Sequence, residues 1–267
     1  MNRIGVFGAN GRMGLALLEA ATIKEQTQLG GAYVRSSSSL LGINVNQVNS
    51  AADKAISFSD ESKVADVDVD VLIDFTLPAG MRNHLKTALD KKLPMVIGTT
   101  GLTSKDMALL ENAAKHIPIV FARNYSVGVN VLLNLVQTAA TKFGDDLDIE
   151  VFEAHHRHKI DAPSGTALAI GESIAQAKGW DHDEVAVYDR SQVETAKSQN
   201  EIGYSVLRGG DIVGEHTAYF ATMGERLELT HKASSRMTFA LGAIRAAQWL
   251  QNKPAGLYDM QDVLDLK

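Results

Sequence analysis

A short apolar run, Arg3-Ile-Gly-Val-Phe7, leads straight into Gly8-Ala-Asn-Gly-Arg-Met-Gly14, and Leu15-Ala-Leu-Leu-Glu-Ala-Ala21 continues with helical character. Strand, glycine turn and helix in that order admit few architectures. They open a βαβ unit of a parallel sheet, with the turn at the carboxyl end of the first strand and free N–H groups at the helix start. The glycines at 8, 11 and 14 are spaced 0, 3, 6 and not the commoner 0, 2, 5, yet either spacing lets the backbone approach a pyrophosphate. Gly8, Asn10, Gly11, Arg12, Met13 and Gly14 are therefore candidate cofactor contacts. A tight turn with a packed helix start is the purely structural alternative.

The second strand is expected over residues 28–34, followed by Arg35-Ser-Ser-Ser-Ser39. Sites for a cofactor without a 2′-phosphate usually hold an Asp or Glu at the end of this strand. Here that place is Val34, and Arg35 stands next to it. A guanidinium pairs bidentately with phosphate, so Arg35 points to NADPH over NADH. Further strands are expected at 69–75, 94–97 and 117–121, with helices at 79–90 and up to Lys115, the latter capped by Thr103 or Ser104. Ligands of open α/β sheets lie across the carboxyl ends of the strands. Phe75, Thr76, Gly98, Thr99, Thr100, Arg123 and Asn124 occupy those ends and join the candidate cofactor contacts.

At 267 residues the chain is long enough for two domains. A net charge of −6 without a long basic run argues against nucleic acid as a partner. The absence of cysteine removes disulfides, zinc thiolates and thiol nucleophiles. No apolar stretch reaches the ~20 residues of a membrane span, and the N-terminus runs into a strand without a signal peptide. A cytoplasmic protein with no membrane partner is the expectation.

In the second half a helix is expected over 129–142 and a half-buried strand over 148–154. After it, His155-His-Arg-His-Lys159 concentrates three histidines, an arginine and a lysine, and Pro163-Ser-Gly-Thr166 opens a helix that runs to about Lys178. The charge of Arg157 and Lys159 opposes a bound cation, so no metal is expected, although three nearby imidazoles invite one. An anion site fits better, with His155 or His156 as proton donor and Lys159 as a point charge. Ser164, Gly165 and Thr166 offer helix-start N–H groups that suit a carboxylate, or Ser164 is a plain N-cap. Strand-like runs at 185–188, 202–207, 216–220 and 226–230 indicate a largely open, antiparallel sheet whose bare face another subunit can cover. A last helix, 236–250, is expected to pack on the first domain.

The segment Glu153-Ala-His-His-Arg-His-Lys-Ile-Asp-Ala-Pro-Ser-Gly-Thr-Ala167 resembles the signature of the 4-hydroxy-tetrahydrodipicolinate reductase family, formerly called dihydrodipicolinate reductase. The similarity extends over Gly8–Gly14, Ile97–Gly101, Asn124–Asn130, Gly209–Thr217 and Thr230–Phe239, essentially the whole chain. It implies an α/β fold: a Rossmann-like dinucleotide-binding domain, residues 1–126 completed by 236–267, and an α+β substrate-binding and oligomerisation domain, 127–235, with an open mixed or antiparallel sheet. It further implies NAD(P)H-dependent reduction of a cyclic dicarboxylate in lysine biosynthesis by a homotetramer. By the family pattern His155 donates the proton and Lys159 holds or protonates the substrate. His156, Ser164, Gly165 and Thr166 bind a carboxylate, and Arg236 is a further anion contact. The chain departs from that pattern at Val34, where Glu is frequent, at Leu77, where Arg can occur, and at Arg123, where a small residue is common. An aspartate- or homoserine-type dehydrogenase with the same first domain would need another substrate motif, which is not present.

Overall fold

The computed structural model describes residues 1–53, 55–66, 68–144 and 146–267, apart from the side chains of 65 and 66. These form two compact units: Met1–Val127 with Arg236–Lys267, and Gly128–Ser235.

The first unit is built on seven strands, all paired in parallel. They are β1 (Asn2–Phe7), β2 (Thr27–Val34), β3 (Phe58–Asp60), β4 (Val71–Asp74), β5 (Met95–Ile97), β6 (Pro118–Phe121) and β12 (Gly256–Tyr258), in the order β12-β6-β5-β4-β1-β2-β3. Successive side chains of a strand point to opposite faces, and both faces are apolar here, as a parallel sheet covered on two sides requires. Ile4, Val6, Ile73 and Val96 pack with Leu17, Leu18, Ala243 and Ile244 of helices α1 (Arg12–Ile23) and α7 (Met237–Trp249). Phe7, Leu72, Met95 and Ile97 pack with Met81, Leu85 and Leu110 of α2 (Pro78–Lys91) and α3 (Ser104–Ala113). Thr103 caps α3 through a reciprocal capping box with Asp106. Two strands lie outside the sequence expectation: β3 and β12, each three residues long and at opposite edges of the sheet.

The second unit carries β7 (Asp148–His155), β8 (Ala186–Val187), β9 (Ile202–Arg208), β10 (Gly214–Thr222) and β11 (Glu225–Ala233), in the order β11-β10-β7-β9-β8. β10 is antiparallel to β11 and β7, whereas β9 is parallel to β7 and β8, so of the two arrangements expected the sheet takes the mixed one. The connection from β7 to β9 contains α5 (Gly165–Lys178), and a crossover of that kind returns the chain in the parallel sense. Val185 closes a short helix, α6 (His182–Val185), which leaves only two residues of the expected strand 185–188. Leu132 and Val136 of α4 (Val127–Lys142) and Ile170 and Ile174 of α5 bury Ile149, Val151, Ala218 and Phe220 on one face of this sheet. Among the described residues no helix is long and apolar enough to cross a membrane.

Candidate active site

In the second unit, period-two alternation decides which residues meet. Ile149 and Val151 face the core, and Glu153 and His155 continue the same face of β7. On β10, Ala218 and Phe220 face the core and His216 and Gly214 continue that face, with His216 directly opposite Glu153. The apolar core thus ends in a polar cluster at one end of the sheet, beside the start of α5.

Glu153 is fully buried and its carboxylate is saturated. One oxygen, Oε2, lies 2.6 Å from His155 Nδ1 and accepts from Arg208 at 2.7 Å. The other, Oε1, accepts from Arg208 at 2.8 Å and from the Ser164 N–H at 2.9 Å. Burial pushes the Glu153 carboxyl up, but the hydrogen bonds from His155 and Arg208 outweigh it and hold it at about 2. An ionised carboxylate at Nδ1 keeps the proton on that nitrogen and directs Nε2 outward. No protein hydrogen bond reaches His155 Nε2 among the described residues, and an added Cβ on Gly214 would stand 3.0 Å from it.

Ser164 is the N-cap of α5. Its Oγ accepts from the Ala167 N–H at 3.2 Å and lies 2.9 Å from His216 Nε2. Gly165 and Thr166 form the first turn ahead of that capped amide, at the positive end of the helix dipole. No heavy atom outside its own turn lies within 4 Å of where a Cβ on Gly165 would stand, so the start of α5 is open on that side. Burial, aided by the neighbouring His155, pushes His216 down to about 3, so it is a neutral partner of Ser164. Lys159 Nζ is 2.8 Å from Asp161, and Arg208 also donates to the carbonyls of Lys159 and Asp161, which ties the basic loop to the cluster. His156 is half-buried with its ring 6.2 Å from that of His158. Arg236 belongs to the other unit, where it precedes α7 as its N-cap. The sequence candidates His155, Lys159, Ser164, Gly165 and Thr166 fall in one locality. Sequence reasoning misses Glu153, Arg208 and His216 as functional groups, although Glu153 opens the signature segment.

In the first unit, Gly8, Asn10, Gly11, Arg35, Phe75, Thr76 and Leu77 line a cavity of about 550 Å³ together with Glu61 and His84. Gly8 has φ +62°, which favours glycine, and an added Cβ on Gly14 would lie 2.2 Å from the Gly8 carbonyl oxygen, so the turn and α1 touch only because Gly14 has no side chain. Gly11 is the N-cap of α1 and offers no side chain, which leaves the N–H groups of Arg12, Met13 and Gly14 for an external anion. This cradle suits a pyrophosphate. The Met13 side chain itself packs against the apolar core. Gly98 makes room for the Phe75 ring, which an added Cβ would meet at 2.3 Å. The Thr99 hydroxyl is committed to buried Asp74 at 3.0 Å, Thr100 and Arg123 are exposed, and Asn124 accepts from the Ser126 N–H at 2.8 Å. His84 is itself mostly buried: stacked on Phe7 with centroids 3.7 Å apart, its Nδ1 is 2.5 Å from Asp74 and its Nε2 3.2 Å from Glu61. Burial works against its charge, and the two carboxylates raise it above the ordinary histidine value.

Two family models match, described as dihydrodipicolinate reductase, N-terminus, over residues 2–125, and dihydrodipicolinate reductase, C-terminus, over residues 128–264. The chain is 84% identical over 266 residues to a 4-hydroxy-tetrahydrodipicolinate reductase of Pseudoalteromonas translucida, covering 100% of this chain and 99% of that protein. With the protein of the same name from Pseudomonas fluorescens Pf-5 the identity is 55% over 269 residues, with full coverage of both. A solved dipicolinate-bound dihydrodipicolinate reductase from Paenisporosarcina superposes with a TM-score of 0.75 at 23% identity, covering 98% of each chain.

Proposed function

This chain belongs to the dihydrodipicolinate reductase family and is an NAD(P)H-dependent oxidoreductase, and we propose that it reduces (2S,4S)-4-hydroxy-2,3,4,5-tetrahydrodipicolinate to tetrahydrodipicolinate with loss of water, in the diaminopimelate route to lysine. The cofactor, when bound, supplies a hydride to ring carbon C4. One hydride and one proton enter and one water leaves, so the protein must provide a proton and hold a dicarboxylate.

The observation that carries this reading is the buried Glu153 carboxylate, which joins His155 to the start of α5 through contacts of 2.6 and 2.9 Å. Proton donor and carboxylate cradle are thereby fixed to each other. His155 donates from Nε2, and Glu153 holds the proton on Nδ1 as the ring becomes neutral. Ser164, Gly165 and Thr166 receive one carboxylate at the helix start, with His156 beside them. Lys159 exchanges Asp161 for the substrate, and Arg236 is a further anion contact. In the first unit the amides of Arg12, Met13 and Gly14 hold the pyrophosphate, Gly8, Asn10 and Gly11 let it approach, and Phe75, Thr76, Gly98, Thr99, Thr100, Arg123 and Asn124 line the nicotinamide side. Arg35 receives a 2′-phosphate, so NADPH is favoured and NADH remains usable.

The protein acts in the cytoplasm as a homotetramer. Support for self-association comes from the second sheet, where β11 is mostly exposed and Val206 and Leu227 are large apolar side chains open to solvent. Steady-state assays with freshly generated cyclic substrate test the reaction. Turnover is expected with both cofactors and a higher kcat/KM for NADPH, and absence of turnover with either would refute it.

A further inference from the structure

The cavity of the first unit contains an acid for which the glycine motif gives no account. β2 ends at Val34 and Arg35 follows, without the carboxylate that grips an unphosphorylated ribose in many dinucleotide sites. β3 runs parallel to β2 with Val34 opposite Asp60, so the two strands leave the sheet at the same level, neighbouring strands being about 4.8 Å apart. The residues that follow are Arg35 and Glu61, and both line the same cavity.

Glu61 is also held in place. Its Oε2 is 3.2 Å from Nε2 of His84, which is locked by its stack on Phe7 and its 2.5 Å contact with Asp74. Asp74 is wholly buried and accepts from the Thr76 N–H and hydroxyl at 2.7 Å and from Thr99 at 3.0 Å. The Glu61 side chain keeps 35% of its surface exposed, so the end of this chain of contacts is available to a ligand. Even with His84 protonated, two carboxylates and one imidazolium leave a net negative charge beside Arg35.

We propose that Glu61 is a specificity-determining residue for the adenosine half of the cofactor: its carboxylate accepts a hydrogen bond from unphosphorylated adenosine and opposes a 2′-phosphate, while Arg35 attracts it. This rests on the cofactor reading given above and moves the missing acid from the end of β2 to the end of β3. The two strand ends pull in opposite directions, and the chain discriminates between NADPH and NADH less than Arg35 alone would dictate.

The test is direct titration of the full-length protein with NADH and with NADPH, without substrate. Glu61→Gln is expected to weaken NADH about 3- to 10-fold and to tighten NADPH by a similar factor, in the range of single hydrogen bonds and charge contacts. Arg35→Gln shifts the ratio the other way, by about 10-fold or more. Should Glu61→Gln fold poorly, Glu61→Ser gives the same comparison. A parallel change in both affinities, or none, overturns the assignment while leaving the cofactor site intact. Failure of the wild type to bind either nucleotide removes the cofactor site and Glu61's role together.

Discussion

His216 makes the second unit sensitive to mild acid in a way that can be worked out. It is 3% exposed, and burial together with the neighbouring His155 pushes it from 6.5 down to about 3. Above pH 6.5 it is neutral in both the folded and the unfolded chain and contributes nothing to pH dependence. Below pH 6.5 the unfolded chain takes up a proton that the native site refuses, so stability falls as pH falls, until the folded pKa is reached near 3. A pKa difference of one corresponds to about 1.4 kcal/mol, so between pH 6.5 and 4.5 the loss is roughly 2–3 kcal/mol. His216→Gln cannot titrate, and its amide can still donate to Ser164 Oγ. Wild type and variant are compared by urea unfolding across this range. Glu153 and His84 titrate alike in both proteins and cancel in the difference. The wild type is expected to lose about 2–3 kcal/mol more than the variant, or about 5 °C more in Tm for a protein of this size. Parallel stability curves would show that His216 takes up its proton in the fold and that its burial is not what keeps it neutral.

Three further outcomes follow from the same cluster. Glu153→Gln places an amide N–H₂ against donors from Arg208, His155 or Ser164; it is expected to cost about 2–3 kcal/mol of stability and to lower kcat at least ~10-fold, checked by unfolding and steady-state kinetics. Wild-type kcat in a folded Glu153→Gln protein contradicts its positioning role. Gly214→Ala sets a methyl 3.0 Å from His155 Nε2 on ordinary backbone, so kcat should drop with little change in Tm; equal kcat means that Nε2 is not the atom that meets substrate. Asp161→Asn frees Lys159 from an exposed ion pair worth about 0.2–1 kcal/mol, and dipicolinate should bind about 1.5- to 5-fold tighter by calorimetry. Weaker binding would mean that Asp161 orients Lys159 and does not compete for it.

The parts legible in the sequence share a physical character. The glycine turn, α1 and the long helices announce themselves through local spacing, caps and period, and the basic segment with the start of α5 carries its residues within a few positions of one another. Arg208 and His216 cannot be read that way. They lie far along the chain from Glu153, the Arg208 contact spanning 55 positions, and only the pairing of β7 with β9 and β10 brings them to it.

The short edge strands β3 and β12 escape for a related reason: three residues hold too little pattern to separate a strand from a loop. Glu61 follows directly on β3, so its place beside Arg35 is hidden with that strand. Alternation alone could not decide between a mixed and an antiparallel second sheet, because it shows which face a side chain takes and not the direction of the neighbouring strand.

The central claim is that His155 gives the proton from a site built around Glu153 and the start of α5. His155→Ala separates that role from binding. The variant is expected to keep its fold and its affinity for NADPH and dipicolinate, while kcat with freshly generated cyclic substrate falls by ~10²-fold or more. An unchanged kcat in the folded, ligand-binding variant would contradict the account at its centre.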